Sequence, residues 1–411
     1  MNLFDPRTFS TDWEIMVFDR KLRPVGTQKL FGFAGALSHE LDLPIQIDYN
    51  TVECAMGVNR SLTQIDERIR RTTDRLTSML AEYDLDPVPI ASHPRELMYN
   101  AAHIHVGTVR DESAALHLEA DLIPYVGVFA ALAANSPVAP PGRRGEFKSY
   151  RVRNQAHGCT RPSSIRSPET AQPHWGMDAG PKLHGAATVE VRITDCASSR
   201  RFLAEMSTFV AAYVHYRGTR ISRETPSADA YERAMINRWC GAKYGLQATM
   251  LWHDGPRPVV DIIDEMLGEC AESLRELGAT RSDLGLINRM LEKRICQADY
   301  VLDVASRYAE PFELASVLVR TLRHWDAFDA YIDRAPALDP SPAPDRETIL
   351  REHLALIGEG THFYRSRDAM NLPAPAADRV IDELIRRKSV KIEHSRLGGT
   401  LLTKVSASDS L

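Results

Sequence analysis

Four short segments of the chain carry acids or imidazoles in strand-like surroundings. Asp12 and Glu14 flank Trp13, Glu53 lies in Thr51-Val52-Glu53-Cys54-Ala55, His103 and His105 flank Ile104, and Glu190 and Arg192 flank Val191. Residues two apart in an extended strand point to the same face. Each segment therefore offers its polar groups on one side, and antiparallel strands laid side by side would gather them into one concavity. Buried charge at that density is unfavourable unless the groups coordinate metal or pair with one another. Carboxylate oxygens with one or two imidazoles suit Mg or Mn better than zinc. Such ions neutralise a triphosphate and assist transfer of its terminal phosphoryl group. Arg192 and Arg151 add planar forks of donors suited to phosphate oxygens, although Arg192 could instead neutralise Glu190.

The elements that must position these groups follow from periodicity. Residues 12–18 alternate, with Trp13, Ile15 and Val17 opposite Asp12, Glu14 and Met16; residues 101–106 and 187–193 alternate in the same way. Ile65, Ile69, Leu76, Met79 and Leu80 recur at helical spacing within residues 62–83. A helix is predicted over residues 117–134, kinked at Pro124 and stopped by Asn135-Ser136-Pro137. The Ser-, Arg- and Pro-rich stretch to about Pro173 reads as an active-site loop or simply a mobile one. From Arg201 to about Asp333 the pattern is almost wholly helical, with long runs over residues 259–277 and 287–306. Strands first and helices later predict an α+β fold. A proline-rich linker at residues 335–345 then separates a catalytic domain, residues 1–334, from a small module, residues 346–411, whose helices and terminal hairpin resemble a winged helix.

Composition narrows the function classes. The 411 residues are 44% hydrophobic and 26% charged, as in ordinary globular proteins. The net charge of -5 gives no general attraction to nucleic acid or anionic lipid. Cysteines at 54, 159, 196, 240, 270 and 296 form no CxxC pair, which fits reduced thiols in a cytoplasmic protein; Cys54, Cys196 and Cys240 read as small buried residues rather than nucleophiles. The start lacks the pattern of a signal peptide, and the most apolar stretch, residues 122–132, follows Glu119 and Asp121 and reads as a buried helix rather than a membrane span. Arg386, Arg387, Lys388 and Lys391 could meet nucleic acid or an acidic peptide, or form a solvated surface or a homodimer contact.

Taken in order, these segments resemble glutamate-cysteine ligase family 2, the carboxylate-amine ligases with a glutamine-synthetase-like fold. Asp12-Trp13-Glu14 stands where that family has Gly-Val-Glu-x-Glu, and the stretch from Val52 to Val58 looks like its second metal-binding strand. His103-Ile104-His105-Val106-Gly107, Ala131-Leu132-Ala133-Ala134-Asn135-Ser136-Pro137, Ser149-Tyr150-Arg151, Thr188-Val189-Glu190-Val191-Arg192 and the Asn237-Arg238-Trp239 helix match further family motifs in the family's order. The resemblance implies a curved antiparallel sheet with helices, and Asp12, Glu14, Glu53, His105 and Glu190 binding two or three Mg or Mn ions around ATP. It implies Arg192 on phosphate, Arg151 near phosphate or substrate, and nucleotide contacts at His105 and Ser149. His103 is open between a ligand or nucleotide contact and a hydrogen-bonded structural histidine. The implied reaction phosphorylates a carboxylate and lets an amine displace phosphate, joining small-molecule or peptide substrates. Asp12 replaces a glutamate, Tyr49 stands near a position where the family often has an acid, and the Trp175-Gly176-Met177-Asp178 stretch lacks an expected arginine. These departures point to an acid or amine other than glutamate and cysteine. Alternatives are glutamate-cysteine ligase proper, a catalytically degenerate nucleotide- or peptide-binding protein, and a metal-dependent hydrolase on a barrel.

Overall fold

The computed structural model describes residues 7–48, 51–96, 98–107, 112–140, 142–154, 177–182, 188–222, 227–345, 349, 390–394 and 400–404. A twelve-residue strand, β1 (Thr8–Asp19), is the spine of the main sheet, and its interior positions are buried on both faces save Ser10. Trp13, Ile15 and Val17 enter the larger core, whereas Met16 and Phe18 enter a second apolar cluster. The face of β1 that carries Asp12 and Glu14 is thus polar up to Glu14 and apolar beyond it, at Met16 and Phe18. Its neighbours are β2 (Ile45–Asp48), β3 (Thr51–Ala55), β4 (Leu85–Val88) and β5 (Ala102–Gly107). A two-stranded ribbon of β6 (Val138–Ala139) and β7 (Arg143–Arg144) lies apart, and β8 (Ala179–Lys182) with β9 (Thr188–Val191) completes the sheet. The order is β2-β3-β1-β5-β9-β8, with β4 also on β1, and every pairing is antiparallel. Among the described residues this is an open sheet, not the barrel that a hydrolase reading needs.

Helices cover the apolar face. They are α1 (Thr27–Leu41), α2 (Leu62–Ala81), α3 (Glu112–Leu122), α4 (Val126–Ala133), α5 (Tyr150–Asn154), α6 (Arg200–Gly218) and α7 (Ala228–Tyr244). Buried residues run from Phe202 to His215 in α6, which is capped by the Ser199 side chain accepting from the Phe202 N–H and tied to β1 through Thr11 Oγ1 and Ser207 Oγ at 2.7 Å. The predicted kink at Pro124 is a 3-10 turn, Ile123–Tyr125, between α3 and α4. The helical run Ser113–Ala133 has the length and apolarity of a membrane span, but 78% of its apolar window is buried inside the fold. Helices α4 and α7 cross backbone to backbone: a Cβ on Gly241 would stand 2.3 Å from the Gly127 carbonyl oxygen. Glycine is what permits that approach.

The tract predicted as almost wholly helical is interrupted. The Asn237 side chain exchanges hydrogen bonds with the Leu251 backbone, pinning a hairpin of β10 (Thr249–Trp252) and β11 (Gly255–Pro258). The predicted 259–277 helix divides into α8 (Val259–Glu269) and α9 (Ala271–Glu276). The 287–306 run divides into α10 (Gly285–Lys293) and α11 (Gln297–Ala305), because Arg294 adopts a left-handed conformation at φ 54. Two further helices, α12 (Pro311–Leu322) and α13 (Ala327–Arg334), end the described domain. Residues 336–345 lack regular structure, as expected of the linker, yet they are fastened to the domain: the Leu338 N–H donates to the Lys293 carbonyl at 2.8 Å and the Ser341 N–H to the Gln247 carbonyl at 2.6 Å. Beyond them a hairpin of β12 (Val390–His394) and β13 (Thr400–Lys404) matches the expected strand pair. The rest of the winged-helix expectation, including Arg386, Arg387 and Lys388, lies outside the described residues.

A carboxylate and imidazole cluster on the main sheet

Strand register brings the expected residues together. Glu14 on β1 faces Glu53 on β3, Asp12 faces His103 on β5, and His105 faces Glu190 on β9. All six are buried or nearly so. His105 is held between strands, with Nε2 2.9 Å from Asp12 Oδ2 and Nδ1 3.3 Å from Thr188 Oγ1. His103 lies between two carboxylates, its Nδ1 3.6 Å from Glu190 Oε1 and its Nε2 3.8 Å from Glu14 Oε1, and that Nε2 has no hydrogen-bond partner. Arg192, 23% exposed at its side chain, donates from NH1 to Glu190 Oε1 at 2.7 Å.

The cluster has two electrostatically different ends. At one end, ligand oxygens of Glu14, Glu53 and the less buried Asp48 lie within 4.8 Å of one another. Burial raises the Glu14 carboxyl to about 8, with the charges of Glu53 and Asp48 adding to it while Arg151 and the Ala101 N–H, which donates to Oε2 at 2.6 Å, pull the other way. Burial and the Asp12 charge also raise Glu53, against the Gln46 amide that donates to its Oε1 at 2.7 Å. Three such carboxyls within reach of one another could hold a hard cation, whose charge would offset their burial. At the other end, Lys182 Nζ stands 4.0 Å from Asp12 Oδ2 and 3.9 Å from Glu190 Oε1, and Arg192 joins it. Burial works to raise the Asp12 carboxyl, but the His105 hydrogen bond and the charges of His105, Lys182 and Arg192 hold it below its ordinary value. Burial, reinforced by Arg192 and Arg151, drives the His103 imidazole well below its usual range, leaving the neutral form that can ligate a metal.

Two residues were not anticipated from sequence. Asp48 supplies the further acid one position before Tyr49, which itself lies outside the described residues; its signal was the alternation Ile45-Gln46-Ile47-Asp48. Lys182 lies opposite Thr188 on the edge strand and carried no motif. Two expected residues have backbone and carboxylate partners. Arg151 is fully buried and its guanidinium donates to the carbonyls of Arg192 at 2.8 Å, Ile193 at 3.2 Å and Thr194 at 3.3 Å, so it holds the end of β9. Ser149 is fully buried too: its hydroxyl donates to Asp195 Oδ1 at 3.1 Å and accepts from the Val152 N–H, which makes it a helix cap and an Asp195 partner. Trp239 packs edge-on against Phe147 at 4.7 Å, as expected of a core residue. The five described cysteines are buried.

No family model matches the chain. A putative glutamate–cysteine ligase 2-2 from Nocardia farcinica (strain IFM 10152) is 22% identical over 325 residues, covering 66% of this chain and 84% of that protein. Among solved structures, a bifunctional glutathione synthetase from Pasteurella multocida superposes with a TM-score of 0.54 at 12% identity over 79% of this chain; the chain spans only 53% of that longer protein. A glutamate–cysteine ligase from Francisella tularensis, solved in complex with AMP, superposes with a TM-score of 0.52 at 9% identity, covering 81% of this chain and 92% of that one. The chain therefore shares its fold with these two ligases. In sequence it is similar to a putative member of glutamate-cysteine ligase family 2, the family that the ordered motifs resemble.

Proposed function

We propose that the chain is an ATP-dependent carbon–nitrogen ligase that uses Mg or Mn to join a carboxylate to an amine through an acyl phosphate. One observation carries this reading: Asp12, Glu14, Glu53, His103, His105 and Glu190 share one face of adjacent antiparallel strands, with Arg192 and Lys182 at one end and three uncompensated carboxylates at the other. The donor set fits a hard divalent ion, because Glu14, Asp48 and Glu53 offer only oxygens and burial, with neighbouring acids adding to it, raises two of these carboxyls. Asp12, His105 and Glu190 would hold a further ion, with His103 as an additional nitrogen donor. Divalent ions supply charge neutralisation of the triphosphate during phosphoryl transfer.

The chain's own groups do the remaining work. Arg192 and Lys182 lie on the side where negative charge is already compensated, and they orient the phosphate oxygens of the nucleotide there. The Asp12–His105–Thr188 arrangement fixes the imidazole so that little reorganisation is needed on binding. The departures at Asp12 and Trp175-Gly176 support an acid or amine other than glutamate and cysteine, drawn from small molecules or peptides.

The experiment is a phosphate-release screen of amino acids and peptides with Mg-ATP. ADP and phosphate are expected only when an acid and an amine are both present, and Glu190→Ala abolishes the release. Full turnover in that variant would remove Glu190 from the site. Calorimetry with Mg-ATP separates the rival readings, since a hydrolase ignores the nucleotide and a degenerate scaffold binds it without consuming it.

A further inference from the structure

Asp12 Oδ2 and Glu190 Oε1, carboxylate oxygens of the position proposed for the further ion, both face the Lys182 ammonium, at 4.0 and 3.9 Å. Neither distance is a hydrogen bond, so Lys182 meets these oxygens as a charge and is held there by no directional contact. The same oxygens carry firmer contacts. Asp12 Oδ2 lies 2.9 Å from His105 Nε2, and Glu190 Oε1 accepts from Arg192 NH1 at 2.7 Å. A divalent ion ligated by Asp12 and Glu190 would bring its charge to a place that a lysine already helps to neutralise, and like charges that close repel.

The two cations at this end differ in freedom. Arg192 is fixed, since its backbone N–H donates to the Asp178 carbonyl at 2.8 Å and its guanidinium is bonded to Glu190. Lys182 ends the edge strand β8, opposite Thr188, and among the described residues no strand lies beyond it. Its side chain is 39% exposed, on a flexible four-carbon stem. Solvent screens its attraction to the two acids, so turning the ammonium out to water costs little. We propose that Lys182 is a tethered competitor for the divalent ion at Asp12 and Glu190: ammonium and ion use the same carboxylates in turn, and loading the ion expels the lysine. Among the described residues Lys182 makes no ion pair with Glu14, Asp48 or Glu53, so the competition falls chiefly on one of the two ion positions. The proposal rests on the reading above for an ion at Asp12 and Glu190, but not on turnover. In that reading the displaced ammonium turns to the nucleotide's phosphates, which couples loading of this ion to the arrival of the triphosphate.

The test titrates the full chain with Mn, without nucleotide, and follows free Mn by electron paramagnetic resonance. A Glu53→Gln background weakens the acidic trio and leaves the Asp12 and Glu190 position to be read. There Lys182→Gln should tighten Mn by about tenfold or more, whereas Lys182→Arg, which keeps the charge, should not tighten it. A second readout follows the lysine itself: saturating Mg should speed acetylation of Lys182 by N-hydroxysuccinimide acetate severalfold, measured by mass spectrometry against the exposed Lys29 of α1. Unchanged or weaker Mn binding in Lys182→Gln overturns the proposal, as does equal tightening in Lys182→Arg, or a Lys182 whose acetylation Mg slows or leaves alone. Neither measurement uses nucleotide or turnover, so a chain that bound no ATP would lose the ligase reading and keep this result, while a Lys182 indifferent to the ion would leave the ligase reading standing.

Discussion

The raised carboxyl of Glu14 makes metal binding a competition with a proton, and the size of that competition follows from its position. Burial, with Glu53 and Asp48 close by, lifts the group to about 8, so at pH 7 roughly nine-tenths of the metal-free protein carries the proton there. An ion that needs the carboxylate must displace it. Affinity at pH 7 should therefore be about elevenfold weaker than its alkaline limit, and at pH 6 about a hundredfold weaker. The sign for folding runs the same way. A carboxyl whose folded value exceeds its ordinary 4.5 contributes stability that is fully present below about 4.5 and lost as pH rises through about 8, a change on the order of 5 kcal/mol before the ion restores it. Calorimetric titration of Mn at pH 7, repeated in buffers of low and high ionisation enthalpy, counts the protons: at least about 0.9 per ion should be released, falling toward zero for this group above pH 9. The stabilisation by Mg of thermal unfolding should be larger at pH 8 than at pH 6. No proton release at pH 7, or the same release from Glu14→Gln, would refute the reasoning.

Three further outcomes follow from the same geometry. Asp48→Asn should weaken Mn binding by about tenfold to a hundredfold while leaving the urea midpoint unchanged, since Asp48 lies at the open side of the trio; an unchanged affinity would take Asp48 out of the site. Asp195→Ala should cost about 3–5 kcal/mol in urea unfolding, because it strips a buried carboxylate that accepts from the Asn135 N–H, Ser136, Ser149 and the Arg151 side. Gly241→Ala should cost about 1–3 kcal/mol or more, the added Cβ falling 2.3 Å from the Gly127 carbonyl, whereas Gly32→Ala, in open space on α1, should be neutral or slightly stabilising; equal midpoints for the two variants would contradict the close crossing of α4 and α7.

What the sequence disclosed, and what it withheld, divides along a physical line. Period-two alternation is a local property, so the strands carrying Asp12, Glu14, His103, His105 and Glu190 were legible, and with them the α+β class. The register that sets Glu14 opposite Glu53 is a tertiary property and became visible only in the sheet. Strand β2 is four residues long, too short for its alternation to stand out, which hid Asp48. The break at Arg294 was hidden for another reason: no glycine or proline marks its left-handed turn, so helical periodicity runs straight through it. Asp254-Gly255 did mark the β10–β11 turn, but the apolar spacing on either side outweighed it. Arg151 and Ser149 show the limit of reasoning from residue type, because a guanidinium suited to phosphate is equally suited to three backbone carbonyls.

The buried partners of Arg151, Ser149 and Arg238 tie motifs outside the carboxylate and imidazole cluster to those inside it. Arg238 forms a buried two-point pair with Asp178, at 2.5 and 2.9 Å, and the Asp178 carbonyl accepts from the Arg192 and Ile193 N–H groups at 2.8 and 3.1 Å. From the other side Arg151 donates to the carbonyls of residues 192–194 and faces Asp195 at 3.7 Å, while Asn135, Ser136 and Ser149 bind the same aspartate. Two buried arginines from α5 and α7 thus grip one short segment, with donors satisfying its carbonyls and an acceptor satisfying its N–H groups. That segment begins at Arg192, two residues after Glu190, so its placement fixes where a guanidinium and a carboxylate meet the polar face of the sheet. Buried charges arranged this way contribute little net stability compared with apolar packing, but breaking one partner is costly, which makes them good at enforcing a single geometry. In the proposed ligase reading, a site that aligns a triphosphate, an acid and an amine tolerates only small displacements, so its geometry depends on Arg238 and Ser136 as well as on Glu190.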